Sequence, residues 1–361
     1  MKKLVVKKSL LVENIDKIKS MTSAKVIAVM KCNAYGLDIL KYASLMLENG
    51  IDFFAVADID EAILLRKNNF TNDILLLSPV MTKDLSDLLV QNNLTATVTN
   101  VECARLLSNS AEKFDKKVQA HIKIDTGFGR YGINRNIVEE VKEIVKNFDN
   151  IAFKGIYSHF SSSFLNDKTY TKKQFDMFQN IISLLDIDGI DFELKHIANS
   201  SAFIKYPEMH LDAVRVGSAF LGRLAFQNNA KLNKIGYLES NIAYINTLPT
   251  GHNIGYANVY TAKRDTTTGI IPIGYYDGFG TEKSKDIFNL SSVIRYMIGD
   301  FKLLNKKLYV EINNKKIPIL GRVGMHNIVV DLTGTNIKID DKVKCETNPI
   351  LLDSGVLREY R

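Results

Sequence analysis

The chain is poor in cysteine: Cys32, Cys103 and Cys345 are the only three in 361 residues, they lack metal-ligand spacing, and an odd number cannot all pair. That argues against a disulfide-stapled secreted fold and a cysteine-held metal, and it makes a reduced, cytoplasmic setting the expectation. No apolar run approaches the length that crosses a bilayer, and no apolar signal core follows the first residues. A formal charge of +7 raises the question of nucleic acid, but the lysines are scattered and no basic run is interleaved with aromatics. A nucleic-acid partner is therefore not expected. Repeats, low-complexity tracts and a flexible linker are also missing. What is there, at 46% hydrophobic and 24% charged residues, is an ordinary globular composition in a chain long enough for one core and a second module.

Short apolar runs alternate with helical periodicity over the first two thirds. Val26–Met30, 53–57, 74–78, 95–99, 118–124, 151–157, 192–197 and 213–217 read as strands, and 37–49, 61–68, 83–91, 101–114, 137–147 and 172–185 as helices. Eight strand–helix units in about 220 residues match the size of a TIM barrel better than that of an open doubly wound sheet. The expected division is a barrel over 9–235 and a mostly antiparallel β-domain over 236–361. In the latter, 244–248, 258–262, 269–273, 307–312, 317–320 and 327–331 are short and β-rich, with no long helix between them. The strand-like opening, residues 3–8, is available to join that second domain.

In a barrel the chemistry sits at the carboxyl ends of the strands. Lys31 closes the first strand, in Lys31-Cys32-Asn33-Ala34-Tyr35-Gly36. A lysine ending a buried strand is partly desolvated, which favours the free amine that condenses with an aldehyde cofactor. In a closed barrel strand eight lies beside strand one, and the loops after strands seven and eight are the fold's recurrent phosphate site. Those loops carry Asn199-Ser200 and Arg215-Val216-Gly217, so Ser200 and Gly217 are phosphate candidates, with Tyr35 reaching in from the first turn. Ser200 also reads as a helix N-cap, and the two roles can coexist.

The motifs are numerous and ordered: the Lys31 hexapeptide, His121-Ile122-Lys123-Ile124-Asp125-Thr126-Gly127-Phe128-Gly129-Arg130, Ser158-His159-Phe160, Ala198-Asn199-Ser200 and Val214-Arg215-Val216-Gly217. In the second domain Gly255-Tyr256, Pro272-Ile273-Gly274-Tyr275-Tyr276-Asp277-Gly278 and Gly321-Arg322-Val323-Gly324-Met325 follow. Over nearly its full length the chain resembles the bacterial alanine racemases. That resemblance implies a pyridoxal 5'-phosphate (PLP) enzyme of the barrel type, interconverting L- and D-alanine for cell-wall peptidoglycan, as a homodimer with shared active sites. Racemisation removes the Cα proton from one face and returns one to the other, so two acid–base groups are needed. Lys31 matches the first, which also carries the cofactor, and Tyr256 matches the second, supplied by the neighbouring subunit. Arg215 matches the residue that faces the pyridine nitrogen. Arginine donates but cannot accept a hydrogen bond, so that nitrogen should stay unprotonated. His159 matches the support of that arginine, Arg130 a clamp on the substrate carboxylate, Met325 a backbone contact to the same carboxylate, Tyr275 an entrance tyrosine, and Lys123 a lysine that is carbamylated in many relatives.

Two departures bear on the substrate. Gly324-Met325-His326 stands where Cys-Met-Asp is common, which removes a carboxylate, and Asp353 or Ser354 stands where an aromatic commonly narrows the pocket. Both resemble the racemase domain of VanT-type serine racemases, as does Asn348-Pro349-Ile350-Leu351-Leu352, though those proteins usually carry a membrane domain that is not seen in this sequence. Alanine is the first substrate and serine the alternative. A PLP decarboxylase of the same barrel type is disfavoured by Arg215 and by Gly255-Tyr256. A non-enzymatic single-barrel PLP-binding protein is disfavoured by the second domain.

Overall fold

The computed structural model describes residues 2–282, 284–285, 289–303 (of Leu303 the backbone only) and 307–361. Two compact units are present: Lys8–Ile235, and Gly236–Arg361 together with Met1–Lys7.

In the first unit eight parallel strands stand in the order β4-β3-β2-β9-β8-β7-β6-β5. They are β2 (Lys25–Val29), β3 (Phe53–Val56), β4 (Asp73–Leu76), β5 (Ala96–Val98), β6 (Val118–Lys123), β7 (Ile151–Tyr157), β8 (Leu194–Asn199) and β9 (Ala213–Val216). A parallel bridge between Leu75 and Thr95 joins β4 to the start of β5 and closes the ring into a TIM barrel. Helices connect the strands and start where the sequence offers caps: the side chains of Asp38, Thr82 and Asn100 accept the backbone N–H of Lys41, Leu85 and Cys103. Two helices, Lys83–Gln91 and Ile137–Asn147, occupy the residues their apolar spacing marks.

Because strand side chains alternate, the barrel interior takes every second residue. On the β2, β3, β4 and β9 side these are Ile27, Val29, Phe53, Ala55, Leu75 and Ala213, one packed apolar cluster. On the β5 to β9 side they are Thr97, His121, Lys123, Tyr157, His196 and Arg215, all at most 6% exposed. The core is thus half apolar and half polar.

The second unit is a nine-stranded sheet in the order β11-β14-β17-β16-β15-β18-β10-β1-β19. Its members are β1 (Lys3–Val6), β10 (Tyr237–Asn241), β11 (Tyr244–Leu248), β14 (Thr266–Ile271), β15 (Tyr309–Ile312), β16 (Lys315–Leu320), β17 (Ile328–Asp331), β18 (Lys342–Glu346) and β19 (Leu357–Tyr360). A separate two-residue pair joins β12 (Asn253–Ile254) to β13 (Tyr260–Thr261). All pairings are antiparallel except β1 with β19. One expectation fails here. A 14-residue helix, Leu290–Leu303, interrupts the domain that the sequence reading leaves without a long helix. Leu290, Ile294, Met297, Ile298 and Phe301 recur at helical spacing, but they are solvent-exposed, so the periodicity marks a stripe that no core claims.

The segment after β2 also departs from a simple turn. Cys32, Asn33, Ala34 and Tyr35 all have left-handed backbone, with φ of 56, 54, 52 and 55°. Each such L-residue costs about 1–2 kcal/mol, so the turn must be held from outside. It is: Glu61 Oε1 accepts the Asn33 N–H at 2.6 Å, Asn33 Oδ1 accepts the Ile39 N–H at 2.8 Å, and the Ala34 N–H donates to the Met30 carbonyl at 2.8 Å. Cys32 is the exposed member of the turn. Cys32→Gly should therefore be neutral or stabilise by up to about 1 kcal/mol, and the β-branched Cys32→Val should destabilise by about 1–2 kcal/mol, both read from urea midpoints. Equal midpoints would show that the turn is not strained.

Candidate active site

At the carboxyl ends of the barrel strands a cavity of about 410 Å³ is lined by Lys31, Tyr35, Lys123, Arg130, Tyr157, His159, Asn199, Ser200, Arg215 and Gly217, with Ser78, Tyr131, Ser201 and Ser218 among its other walls. This is the size range of small-molecule sites. Every candidate that the sequence assigns to the barrel therefore borders one space. Lys31 and Tyr35 are carried there by the two ends of the left-handed turn.

The wall formed by β8 and β9 gathers hydroxyls and backbone N–H groups. Ser200 Oγ accepts the N–H of Gly217 at 2.9 Å and of Ala219 at 3.4 Å. A Cβ on Gly217 would lie 2.3 Å from the Tyr35 hydroxyl, so only glycine lets the tyrosine approach. Burial pushes that hydroxyl up to about 12, with the nearby Cys32 thiol adding to the rise, so Tyr35 stays a proton donor at ordinary pH. The helix cap that the sequence assigns to Ser200 belongs to its neighbour: Asn199 Oδ1 accepts the N–H groups of Ser201 and Ala202, both at 3.1 Å, and the Ser163 hydroxyl at 2.9 Å. Ser200 is the first residue inside the helix Ser200–Lys205, which leaves its hydroxyl facing Gly217.

Arg215 is 3% exposed, and both of its terminal nitrogens are engaged. It donates to His196 Nδ1 at 2.6 Å, to His159 Nδ1 at 3.1 Å and to the carbonyls of Ser158, His196 and Ile197 at 2.6, 3.3 and 3.3 Å. Its guanidinium lies 4.9 Å from the centre of the Tyr157 ring. Burial lowers it to about 10, still a cation near neutral pH. His159, the support expected for this arginine, is one of its two imidazole partners. The other, His196, carries no role in the sequence reading. The signal for it was a histidine four residues before Ser200, on the strand that leads into that residue.

Lys123 is 6% exposed, with its amine 4.4 Å from the Tyr157 ring centre. Burial, then the charges of Arg215 and Arg130, lower it to about 7. Arg130 is exposed at the rim, its guanidinium 4.4 Å from the Phe128 ring centre. Its loop is organised by Asp125, whose carboxylate accepts the N–H groups of Gly127, Phe128 and Gly129 at 2.9, 2.7 and 2.8 Å.

The remaining candidates lie in the sheet domain. Tyr256 sits in the turn between β12 and β13 and is 73% exposed, which excludes a core tyrosine in this chain. Tyr275 and Met325 are neighbours: the Tyr275 N–H donates to the Gly324 carbonyl at 3.0 Å and the Tyr276 N–H to the Met325 carbonyl at 3.1 Å. His326 packs its ring 5.1 Å from that of Tyr276. Asp353 and Ser354 form an exposed turn whose carbonyls accept from Arg358 at 2.8 Å. Among the described residues no cluster of potential metal ligands occurs, and no helix is long and apolar enough to cross a membrane.

Fold and site together define a barrel enzyme with an amine, a serine–glycine–tyrosine cluster and a buried guanidinium at the carboxyl ends of its strands, followed by a sheet domain. The family model for the alanine racemase N-terminal domain matches residues 6–224, and that for the C-terminal domain matches 235–351. The chain belongs to the alanine racemase family, a family of isomerases. It is 33% identical to the alanine racemase of Methanococcus maripaludis over 91% of this chain and 84% of that one, and 33% identical to that of Clostridium perfringens over 97% and 87%. The solved alanine racemase of Clostridium difficile superposes with a TM-score of 0.87 at 26% identity, covering 100% of this chain and 95% of that one.

The Lys123 environment sets a pH dependence. The folded amine titrates near 7 and the unfolded one near 10.5, so between these values the unfolded chain binds the extra proton and stability rises with pH. In CO2-free buffer the urea midpoint should climb from pH 7 to 10, and Lys123→Met should flatten that climb. An unchanged slope in the variant would mean that Lys123 is not the titrating group.

Proposed function

We propose that this protein interconverts L- and D-alanine with PLP as its cofactor, in a cytoplasmic homodimer that supplies D-alanine for peptidoglycan. The observation that carries the reading is one cavity bordered by a strand-end amine, a serine–glycine–tyrosine cradle and a guanidinium that only donates. The residues fit the cofactor. Ser200, Gly217 and Tyr35 would hold its phosphate, Asn199 fixing the helix that presents Ser200. Lys31 would bind its aldehyde carbon, and Arg215, supported by His159, would face its ring nitrogen. When bound, the cofactor supplies an electron sink that acidifies the Cα–H of the amino acid.

The chain's own groups then do the rest. Lys31 moves a proton at Cα on one face, and Tyr256 of the partner subunit moves one on the other. Arg215 has no lone pair or acid proton to offer at the ring nitrogen, so it leaves that nitrogen unprotonated and limits how far charge is drawn away from Cα. Arg130 presents a fork suited to the substrate carboxylate, Met325 its backbone N–H, and Tyr275 narrows the entrance. Lys123, partly unprotonated near pH 7, can add its amine lone pair to CO2 and release a proton, giving a carbamate whose negative oxygens would offset Arg130. Added bicarbonate should then raise the urea midpoint and extend its climb below pH 7, because the modified folded group holds no ammonium proton there while the unfolded lysine still does; a midpoint insensitive to bicarbonate would leave the amine unmodified. The exposed polar turn at Asp353 and Ser354 favours serine as a second substrate, because a site without a closing aromatic rejects an added hydroxyl poorly.

Chiral analysis of alanine and serine incubated with the PLP-loaded protein tests the activity. Reduction with borohydride should leave the pyridoxyl label on Lys31, and its recovery on another lysine would refute that assignment. The shared site has its own test. An inactive Lys31→Ala chain mixed with an inactive Tyr256→Phe chain should recover roughly one quarter of wild-type activity, since about half the dimers are mixed and each holds one intact site. No recovery despite measured subunit exchange would put both groups in a single chain.

A further inference from the structure

The hydrogen bonds of Arg215 continue beyond the cavity wall. His196 Nε2 lies 2.8 Å from Nδ1 of His121, a ring 1% exposed in the barrel interior. Guanidinium has no acceptor, so His196 Nδ1, 2.6 Å from Arg215, must present its lone pair. A neutral His196 then carries its proton on Nε2 and donates it to His121 Nδ1, which in turn leaves the His121 proton on Nε2. Burial and the Arg215 charge keep both rings neutral: His121 falls to about 3 and His196 well below the usual histidine range. The order of donors is therefore Arg215 to His196 to His121, with no freedom to reverse.

The fold makes room for this third member deliberately. The register of β6 on β7 shifts between Ala120, paired with Phe153, and His121, paired with Gly155. A Cβ at Gly155 would fall 2.7 to 2.9 Å from the His121 ring atoms Nδ1, Cε1 and Cγ. Phe53 meets the same ring edge-on at 5.8 Å, and Tyr157 stacks flat on His196 at 4.8 Å with its hydroxyl 2.8 Å from Thr97 Oγ1. An apolar side chain would fill that space without the cost of burying an imidazole. What the imidazole adds is an acceptor for the His196 proton. Without one, the Nε2–H tautomer is left with a buried unpaired donor, which narrows its advantage over the Nδ1–H tautomer that faces Arg215 donor to donor.

We propose that His121, seated by the bulge and by Gly155, is a positioning residue for Arg215: it accepts the Nε2 proton of His196, reinforcing the tautomer that Arg215 demands, and so keeps the guanidinium aimed at the cavity. The reinforcement itself follows from the hydrogen bonds. Its effect on turnover rests on the reading of Arg215 as the group facing the cofactor ring.

Three variants of the PLP-loaded protein test it: His121→Phe, which fills the space without an acceptor; His121→Gln, which restores an acceptor oxygen; and Gly155→Ala, which displaces the ring. Ring nitrogens of selectively 15N-labelled histidine report the His196 tautomer, with His196→Gln identifying its signals. The Phe and Ala variants should move the His196 proton away from pure Nε2–H and lower kcat about tenfold with KM changed less than twofold, while the Gln variant recovers most of both. An unchanged tautomer and kcat in His121→Phe would overturn the proposal. So would equal losses in Phe and Gln that track thermal stability, because a packing role predicts no rescue by an acceptor. A shifted tautomer with unchanged kcat would sustain the reinforcement and overturn instead the part given to Arg215 in the reaction.

Discussion

The site depends on one permanent positive charge enclosed in the barrel. Taking an ion out of water costs several kcal/mol even after relaxation, and a guanidinium offsets that cost by giving its donors protein acceptors. Arg215 does so with two imidazole nitrogens and three backbone carbonyls. Among the described residues none of its partners is a carboxylate, so its dipolar neighbours solvate the charge without cancelling it. The consequence spreads to every base nearby. Burial first, and then the Arg215 charge, drive His121, His159 and His196 to the neutral form and lower Lys123 to about 7. Enclosure and one fixed cation together thus make the imidazoles around it lone-pair holders rather than further cations.

The strand architecture explains how such a group can be tolerated. β2, β3, β4 and the start of β9 bring Ile27, Val29, Phe53, Ala55, Leu75 and Ala213 into a single apolar cluster, while β5 to β9 turn their polar residues inward on the other side. Segregation keeps desolvation and hydrogen bonding from competing for the same volume. Where the two halves meet, the contacts are ring edges: Phe53 against His121. Tyr157 is the hinge of the polar half. Because Thr97 gives its own proton to the Leu76 carbonyl at 2.6 Å, it can only accept from the tyrosine, and the fixed ring then receives His196 by stacking and offers its face to Lys123 and Arg215.

Much of this was legible in the residues. Short strand-like runs of five to seven residues marked all eight barrel strands; 26–30, 53–57 and 74–78 are almost wholly apolar because parallel strands buried on both faces need no alternation, whereas 118–124 and 192–197 carry polar residues among the apolar ones. Lys31, Ser200, Arg215 and Gly217 were found because strand ends and the loops after strands seven and eight are where barrels hold ligands. The cap was misplaced by one residue because Asn and Ser are equally good caps, and only the direction of the Ser200 hydroxyl toward Gly217 separates them. The helix Leu290–Leu303 was missed because its apolar stripe faces solvent. Nothing in Cys32-Asn33-Ala34-Tyr35 announces a left-handed turn, since only asparagine favours it, and the turn is imposed from a distance by Glu61. His121 and His196 were invisible as a pair for the same reason: 75 positions apart, they meet only because β6, β7 and β8 are adjacent.

The same constraint joins the two strained features of the barrel. A left-handed turn that carries Lys31 and a bulge that admits His121 both weaken local structure, and neither would persist without compensation elsewhere. For the turn it is the Glu61 carboxylate and the Asn33 amide. For the bulge it is the missing side chain of Gly155, which lets the displaced register be filled by an imidazole. In each case the compensating group lies outside the cavity and touches no candidate ligand. Substitution there would leave the inventory of the site intact while changing where its amine or its guanidinium points, and geometry of that kind is what proton transfer at Cα requires of a scaffold.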